Sequence, residues 1–374
     1  MASRSQAQVE KILKPADVRI NGKRPWDIQV HDERLYRRVL AQGTLGVGEA
    51  YMDGWWDAKD LEDLIQHVLR VNPDADIGGK ARLAAAAVVA KIANRQNLTR
   101  SYKNVQHHYD IGNDLYQPML GKTMAYSCGY WRDAKTLDEA QEAKLDLICR
   151  KLGLKPGMTV LDIGCGWGSF VHYAAKHYGV KCVGNTLSEE QAKFARQLTA
   201  KQPVEIIVQD YRELTAQPFD RIVSVGMFEH VGPRNYKTFM KTCDALLKPD
   251  GLMLLHTIGG NRPAHTNDPW IERYIFPGGM LPSIQEIAKA TTGHFIMEDW
   301  HNFGTNYAKT LRAWWQNFDA AYPKLDHSHY DQRFYRMWKY YLLSCAANFS
   351  VRGMQLWQIV LSKPEAALEY KSVR

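Results

Sequence analysis

Several features that mark other classes of protein are missing from this sequence of 374 residues. Its six cysteines are scattered and form no Cys-x-x-Cys pair. Neither a metal site nor a disulfide framework is therefore expected, and reduced thiols in a cytoplasm are the default. No apolar run approaches the roughly 20 residues of a membrane-spanning helix, and the first residues lack the apolar core of a secretory signal. These absences predict a globular cytoplasmic protein.

Acidic residues are absent from positions 77–109, whereas basic residues recur around the apolar run 83–90. With the formal net charge of +8, this pattern favours an anionic partner. One interpretation is a basic linker helix, residues 76–104, that contacts the inner face of an anionic membrane. The other is an alanine-rich packing helix or linker with solvated charges. We expect no nucleic-acid partner, because no aromatic residues are interleaved with these charges.

The chain divides by composition into a small N-terminal domain and a larger second one. Residues 1–75 predict an α+β domain, with strand-like runs at 18–20 and 27–30 separated by a turn and a helix at 60–69. Residues 105–374 predict the larger domain, in which the aromatic-rich stretch 310–345 is expected to be helical.

Within the larger domain, short apolar runs alternate with helical patterns. The predicted strands are residues 159–163, 180–184, 204–208, 219–225 and 252–257. This alternation predicts an α/β fold, a doubly wound parallel sheet with right-handed crossovers. Ligands of such sheets bind at the carboxyl ends of the strands, so the polar residues that follow each strand are the candidates for a site.

The stretch 160–168, Val-Leu-Asp-Ile-Gly-Cys-Gly-Trp-Gly, is the strongest of these signals. A buried strand leads into a cluster of glycines where the backbone must turn tightly and let a ligand approach. The acid Asp162 precedes the first glycine. This form resembles motif I of S-adenosylmethionine-dependent methyltransferases, in which the loop passes the methionine moiety and a nearby acid helps to hold the cationic cofactor.

Many methyltransferases carry an acid after the second strand, but this chain has Gly184-Asn185-Thr186 there. We therefore predict that Thr186 and Gln191 substitute for that acid, and that Asp210 and Tyr211 meet the adenine. The full set of predicted cofactor contacts is Tyr126, Ser127, Asp162, Gly164, Cys165, Gly166, Gly168, Thr186, Leu187, Gln191, Asp210 and Tyr211.

Longer motifs resemble those of one family. Tyr-Ser-Cys-Gly-Tyr-Trp (126–131), the glycine loop, Val-Gly-Met-Phe-Glu-His-Val-Gly (225–232), Leu-Leu-His-Thr-Ile-Gly (254–259), Tyr-Ile-Phe-Pro-Gly-Gly (274–279) and Trp-His-Asn-Phe-Gly (300–304) are similar to cyclopropane-fatty-acyl-phospholipid synthases and mycolic acid cyclopropane synthases. The resemblance implies a Rossmann-like class I methyltransferase fold with a helical lid after the fifth strand. It also implies transfer of methylene from S-adenosylmethionine to unsaturated acyl chains of membrane phospholipids. On this resemblance, residues 105–374 are the catalytic domain, with an acyl-chain pocket covered by the helices of 310–345, and the N-terminal domain is related to lipid binding or to a homodimer.

The same resemblance implies a bicarbonate ion in the site, held by Cys128, Glu229, His256, Tyr307 and the backbone at Ile258. We expect a protonated His256, the Tyr307 hydroxyl and the Ile258 N–H to supply the donors. Cys345 is a candidate nucleophile that we doubt, because no step of the chemistry needs a thiolate. The alternatives are a lipid C-methyltransferase that leaves the ring open, a non-catalytic membrane-binding protein, and a nucleic-acid methyltransferase, for which no Asn/Asp-Pro-Pro-Tyr motif is present.

Overall fold

A computed structural model describes residues 3–71, 112–264, 266–366 and 369–374. The predicted basic helix at 76–104 lies outside these described residues. The chain forms two compact units, each of which is discontinuous in sequence. The first unit comprises residues 1–93, 265–277 and 307–354, and the second comprises residues 94–264, 278–306 and 355–374.

The α-helices, in chain order through the described residues, are α1 Arg4–Leu13, α2 Arg34–Gln42, α3 Thr44–Met52, α4 Leu61–Val71, α5 Asn113–Leu120, α6 Leu137–Lys151, α7 Ser169–Tyr178, α8 Glu189–Leu198, α9 Tyr236–Leu246, α10 Pro269–Tyr274, α11 Ile284–Thr291, α12 Thr305–Ala321 and α13 Gln332–Ser350. The strands are β1 Gln29–Val30, β2 Trp56–Asp57, β3 Thr159–Ile163, β4 Lys181–Thr186, β5 Val204–Val208, β6 Phe219–Val225, β7 Leu247–Gly259, β8 Ile296–Asn302 and β9 Gln355–Ser362. In the part of the chain that is described, no helix is long and apolar enough to cross a membrane.

The first unit is mainly helical, with β1 and β2 as an antiparallel pair. Two strand-like runs were predicted at 18–20 and 27–30. Only Gln29 and Val30 form a strand, which pairs with β2, and the two runs share a single bridge between Ile20 and Ile28. The physical reason is the buried carboxylate of Asp27, which accepts hydrogen bonds from the backbone N–H groups of Arg19 and Arg24. Side-chain bonds therefore hold this loop in place of a strand ladder.

Helices from late in the sequence share the core of the N-terminal helices. Leu343 on α13 lies in the same apolar cluster as Leu35, Tyr51 and Leu61. Arg312 on α12 donates to Glu62 on α4 with an Nε–Oε2 distance of 2.8 Å. Residues 105–374 were expected to form one domain, but the structure groups 265–277 and 307–354 with the N-terminal residues. Composition did not reveal this, since the shared core joins segments more than 200 residues apart in sequence.

The second unit contains a seven-stranded sheet in the order β5-β4-β3-β6-β7-β9-β8. The pairs β3–β4, β4–β5, β3–β6 and β6–β7 are parallel, while β9 runs antiparallel to both of its neighbours. Flanking helices cover a fully buried sheet core, so the predicted α/β class is confirmed. Strands β8 and β9 were not predicted, although the five parallel strands were.

The order of the strands creates a switch point between β3 and β6. From β3 the chain proceeds through β4 to β5 on one side, and from β6 it proceeds to β7 on the other. Connections that leave in opposite directions open a crevice at the carboxyl ends of these strands. The glycine loop follows β3, and the motif that contains Glu229 follows β6, so both lie at this edge.

Candidate active site

The glycine loop after β3 depends on glycine at its first position. Gly164 has a φ of +83°, and a Cβ there would lie 2.7 Å from Cβ of Met227. The N–H groups of Gly164 and Cys165 donate to the carbonyl oxygen of Asn185 at 3.1 and 2.8 Å. The loop is therefore held against the end of β4, and a side chain at Gly164 would meet both unfavourable backbone geometry and Met227.

A cavity opens beside this loop at the carboxyl edge of the sheet. Of the 12 residues predicted to contact the cofactor, 11 line it: Tyr126, Ser127, Asp162, Gly164, Cys165, Gly166, Thr186, Leu187, Gln191, Asp210 and Tyr211. Gly168 does not line the cavity. It has a φ of +86°, and a Cβ there would lie 2.9 Å from Cβ of Ala195 on α8, which indicates that Gly168 serves the packing of α7 against α8.

The last residues of β4 and the helix that follows show which polar groups stand where other methyltransferases have an acid. Asn185 is buried, accepts from the Gly164 N–H through Oδ1 at 3.2 Å and donates through Nδ2 to the Gln209 carbonyl at 2.9 Å. It therefore joins the glycine loop to the end of β5. Thr186 and Gln191, the predicted substitutes, line the cavity and bond each other, with a Thr186 Oγ1 to Gln191 Oε1 distance of 2.8 Å.

Lys144 on α6 is a cavity residue that the sequence analysis missed. Its Nζ donates to Ser127 Oγ at 2.8 Å, and the residue is 1% exposed. Asp162 lines the same cavity, and its Oδ1 has no hydrogen-bond partner among the described residues. Burial lowers the pKa of Lys144 to about 8 and raises that of Asp162 to about 7, although the Lys144 charge opposes the latter. The available signal was the spacing of this lysine, four residues from both Ala140 and Ile148, which places all three on one face of a helix.

The carboxylate of Asp210 is engaged within its own turn. It accepts from the Arg212 N–H at 3.0 Å and forms an ion pair with the Arg212 guanidinium at 2.7 Å. Burial raises the pKa of the neighbouring Tyr211 well above its usual value, and the Tyr211 hydroxyl has no partner among the described residues. Tyr211 thus offers the cavity an aromatic ring and a hydroxyl that remains protonated.

The acid after β6 reaches across to β7. Glu229 Oε1 accepts from the Ile258 N–H at 2.7 Å, whereas Oε2 is buried and has no partner in the described parts of the chain. Burial raises the pKa of Glu229 to about 7, against the lowering effect of the Ile258 hydrogen bond. The predicted Ile258 donor is thus used by Glu229 itself. Glu229 is therefore a buried acid whose pKa lies near neutral pH.

His256 on β7 corrects one sequence expectation, because it is neutral. Burial lowers its pKa well below the usual value, and the charges of Lys144 and Lys151 lower it further. Gln358 Nε2 lies 3.2 Å from His256 Nδ1. Since an amide nitrogen only donates, this arrangement leaves the ring proton on Nε2, an atom without a partner among the described residues. His256 therefore offers one neutral N–H donor.

An aromatic ring packs against this histidine within the second unit, and a second ring packs against the first. The ring of Phe303 lies 6.0 Å from that of His256, and the ring of Tyr130 lies 5.3 Å from that of Phe303. Cys128 is fully buried, and its Sγ donates to the Gly129 carbonyl at 3.2 Å. Buried, aromatic surroundings of this kind suit a reaction with a cationic intermediate.

Tyr307 and Cys345 belong to the first unit. Tyr307 lies on α12, where its ring stacks on Phe349 with a centroid distance of 4.6 Å. Its predicted contact with bicarbonate stays a prediction. Burial raises the pKa of the Cys345 thiol to about 12, so Cys345 carries no thiolate at neutral pH, as our doubt about its nucleophilic role anticipated.

The fold and the cavity together define a class: a Rossmann-like methyltransferase domain with its cofactor cavity at the carboxyl edge of the sheet. A family model described as mycolic acid cyclopropane synthetase matches residues 96–359. The chain belongs to this family.

Relatives of known name extend the match. The cyclopropane-fatty-acyl-phospholipid synthase of Escherichia coli is 49% identical over 94% of this chain and 92% of its own length. The tuberculostearic acid methyltransferase UfaA1 of Mycobacterium tuberculosis is 33% identical over 88% of this chain and 81% of its own length. The crystal structure of the mycolic acid cyclopropane synthase CmaA1, complexed with SAH and CTAB, is 37% identical, with a TM-score of 0.65 over 70% of this chain and 98% of that chain.

Proposed function

We propose that this enzyme transfers a methylene group from S-adenosylmethionine to the cis double bond of unsaturated acyl chains in membrane phospholipids and forms a cyclopropane ring. The observation that carries the proposal is the 49% identity to a cyclopropane-fatty-acyl-phospholipid synthase, which extends over 94% of the chain. The cavity after β3, β4 and β5 supports it further, since it offers the glycine loop and the polar groups that this cofactor needs.

The proposed reaction begins when the alkene attacks the sulfonium methyl group. A carbon–carbon bond forms, the carbon–sulfur bond breaks, and S-adenosylhomocysteine leaves with the electron pair. The acyl chain is left with a carbocation. Loss of a proton from the transferred methyl carbon then closes the ring, so the site must exclude water and provide a base.

Glu229 and His256 would hold the bicarbonate that the family resemblance implies. Each has one buried polar atom without a partner among the described residues: Oε2 of Glu229 and Nε2 of His256. A bicarbonate ion carries both a hydroxyl that donates and oxygens that accept, so it matches an unpartnered acceptor and an unpartnered donor. When bound, it supplies the base that accepts the methyl proton. A Glu229 pKa of about 7 lets the side chain share a proton with that anion and so avoid like-charge repulsion.

Mass spectrometry of lipids tests the reaction. Purified enzyme is incubated with vesicles that contain monounsaturated phospholipid and with the cofactor. The proposal predicts a product that has gained one CH2 and has lost its alkene. Unchanged lipid, under conditions in which the protein binds S-adenosylhomocysteine, would refute it and revive the non-catalytic alternative.

The second candidate is C-methylation of the same double bond without ring closure. The 33% identity to a tuberculostearic acid methyltransferase over 88% of this chain favours keeping it. The two reactions need the same cofactor cavity, and their intermediates are the same carbocation. A product with the same added CH2 that still reacts as an alkene would support this candidate over ring formation.

We also propose that the enzyme works at the cytoplasmic membrane surface as a homodimer, with the basic segment in contact with anionic lipid. The support is the acid-free run 77–109 and the net charge of +8. Substitution by glutamine of Lys80, Arg82, Lys91 and Arg95 should weaken vesicle binding several-fold, most strongly at low salt. The matched control substitutes four exposed lysines elsewhere: Lys155, Lys181, Lys201 and Lys237. Equal losses in both variants would leave only a general effect of charge.

A further inference from the structure

Two opposite charges that the reaction scheme does not use face the cofactor cavity. Lys144 comes from α6 and Asp162 from the end of β3, and both line the cavity. Their exposed fractions are 1% and 2%. Buried ionisable groups normally meet a partner of opposite charge or several hydrogen bonds. Here Lys144 donates to the hydroxyl of Ser127, and Asp162 Oδ1 accepts no hydrogen bond within the described residues.

We propose that Lys144, together with the Ser127 hydroxyl, is a carboxylate subsite that selects the amino-acid end of the cofactor. The inference rests on S-adenosylmethionine as the methyl donor. That donor ends in an α-carboxylate and an α-ammonium group, which are held on one carbon. Lys144 complements the first of these charges, and Asp162, at the start of the glycine loop, complements the second.

Electrostatics supports the assignment of a charged ligand to Lys144 and Asp162. Burial disfavours the charged forms of both residues, and it brings the pKa of Lys144 down to about 8 and that of Asp162 up to about 7. A bound zwitterion gives each of them a partner of opposite charge in a site of low dielectric constant, where such contacts are strongest. The unfavourable burial of both charges is thus relieved by one ligand.

A purely structural role for Lys144 would duplicate the support that another side chain already gives. The irregular segment around Ser127 is already held by Gln141, whose Nε2 donates to the carbonyl oxygens of Ala125 at 3.3 Å and Ser127 at 2.8 Å. Gln141 lies on the same helix as Lys144. The Lys144 bond to the Ser127 side chain therefore orients a hydroxyl in the cavity wall, and the backbone has its own support.

A second buried lysine on the same helix shows what a structural lysine looks like. Lys151, seven residues further along α6, is also 1% exposed but does not line the cavity. Its Nζ lies 3.0 Å from His301 Nδ1 and 3.7 Å from Asp299 Oδ2. A protein carboxylate thus faces Lys151, whereas the cavity faces Lys144. Lys151 is therefore the matched control.

The experiment measures binding without lipid, by calorimetry. The ligands are S-adenosylhomocysteine and its decarboxylated analogue, which retains the amine and the adenosine. Wild-type enzyme should prefer the carboxylate-bearing ligand by about 10- to 100-fold, as expected for a charge-assisted hydrogen bond in a buried site. Lys144→Met should bring that preference to near unity, while Lys151→Met should keep it. Ser127→Ala should lower it by a smaller factor.

Two results would overturn the proposal. One is an equal loss of affinity for both ligands in Lys144→Met, which would indicate support of the cavity wall alone. The other is equal affinity of wild-type enzyme for the two ligands, a result that does not depend on whether any variant folds. Because no acceptor is present, failure of lipid modification would count against the proposed function and would leave this subsite intact.

Discussion

One carboxylate lies near the amino end of strand β6 and another follows its carboxyl end, and the two differ in their partners and in their pKa. At the amino end, Asp220 accepts from the Thr159 N–H at 2.8 Å and pairs with Lys248 at 2.7 Å. These contacts outweigh burial and lower the pKa of Asp220 to about 2. Beyond the carboxyl end, Glu229 keeps one oxygen without a partner among the described residues, and its pKa is raised to about 7. Both carboxylate oxygens of Asp220 are hydrogen-bonded, whereas only one of those of Glu229 is.

The contrast teaches where this fold gives up stability for function. Buried polar groups are normally hydrogen-bonded, so each unpartnered one needs a reason. Asp162, Glu229 and His256 each have one such atom, and all three lie at or beyond the carboxyl ends of β3, β6 and β7. A ligand that completes their bonds is the physical reason that we propose. The following changes test the contrast, from the largest expected effect to the smallest.

Removal of the acid or of the tyrosine hydroxyl should have the largest effect. Glu229→Gln and Tyr307→Phe should each lower turnover by about 10²- to 10⁴-fold, as expected when a group that positions or accepts a proton is lost. Cofactor affinity should survive in both variants, because neither residue lines the cofactor cavity. Single-turnover rates and calorimetric affinities are the measurements.

Asp220→Asn is the control for this pair, since it removes a carboxylate from the other end of β6. Its turnover should stay close to that of the wild type at a temperature where it is folded. Near-normal rates in both Glu229→Gln and Tyr307→Phe would contradict the bicarbonate site.

Replacement of the first loop glycine should affect binding before chemistry. Gly164→Ala places a Cβ at a φ of +83° and 2.7 Å from Met227, so affinity for S-adenosylhomocysteine should fall roughly tenfold or more. Gly153→Ala is the matched control: its φ is +57°, no atom lies within 4 Å of the new Cβ, and it does not line the cavity. Equal affinities in the two variants would show that the loop geometry is not what binds the cofactor.

Removal of the charge at Glu229 and at Asp220 should change the free energy of unfolding in opposite directions. The pKa of Glu229 is raised in the folded state, so the folded wild type loses stability as pH rises from about 4.5 to about 7. Glu229→Gln should therefore become more stable relative to wild type over that window, by about 2–3 kcal/mol in the free energy of unfolding.

The pKa of Asp220 is lowered in the folded state, so its stabilisation is present above about pH 4 and is lost as pH falls towards about 2. Asp220→Asn should accordingly be destabilised above pH 4 by about 1–2 kcal/mol. Denaturant titrations at several pH values measure both differences. A change of the same sign in the free energy of unfolding of both variants would contradict the distinction between the two carboxylates.

The smallest effect is expected at Cys345. With its thiol pKa raised to about 12 by burial, Cys345→Ala should change turnover by less than about twofold, because only the thiolate is a nucleophile. A loss of the size expected for Glu229→Gln would restore Cys345 as a reacting group. Turnover under the conditions used for Glu229→Gln is the comparison.

Local patterns were enough to predict the parallel strands and the glycine loop. Strands β3, β5 and β6 have the predicted bounds, because a short apolar run between turn residues is typical of a buried strand. The cavity residues followed, since the carboxyl ends of parallel strands meet at one edge.

Long-range packing and electrostatics were not readable from local patterns. Residues 307–354 join the N-terminal helices through a shared core, and β9 enters the sheet beside β7 from the end of the chain. Burial lowers the pKa of His256, and the charges of Lys144 and Lys151 lower it further, although both lysines precede it by more than 100 residues. The hydrogen bond from Lys144 to Ser127 could not be inferred without the folded helix α6.

We propose that the cavity beside the glycine loop binds the cofactor, whereas Glu229 and His256 direct the loss of a proton from the transferred carbon. The most direct measurement is the deuterium content of the lipid product formed from cofactor with a trideuterated methyl group. The account predicts a cyclopropane that retains two of the three deuterium atoms, and a much slower appearance of that product with Glu229→Gln at unchanged cofactor affinity. A product that retains all three deuterium atoms would contradict it.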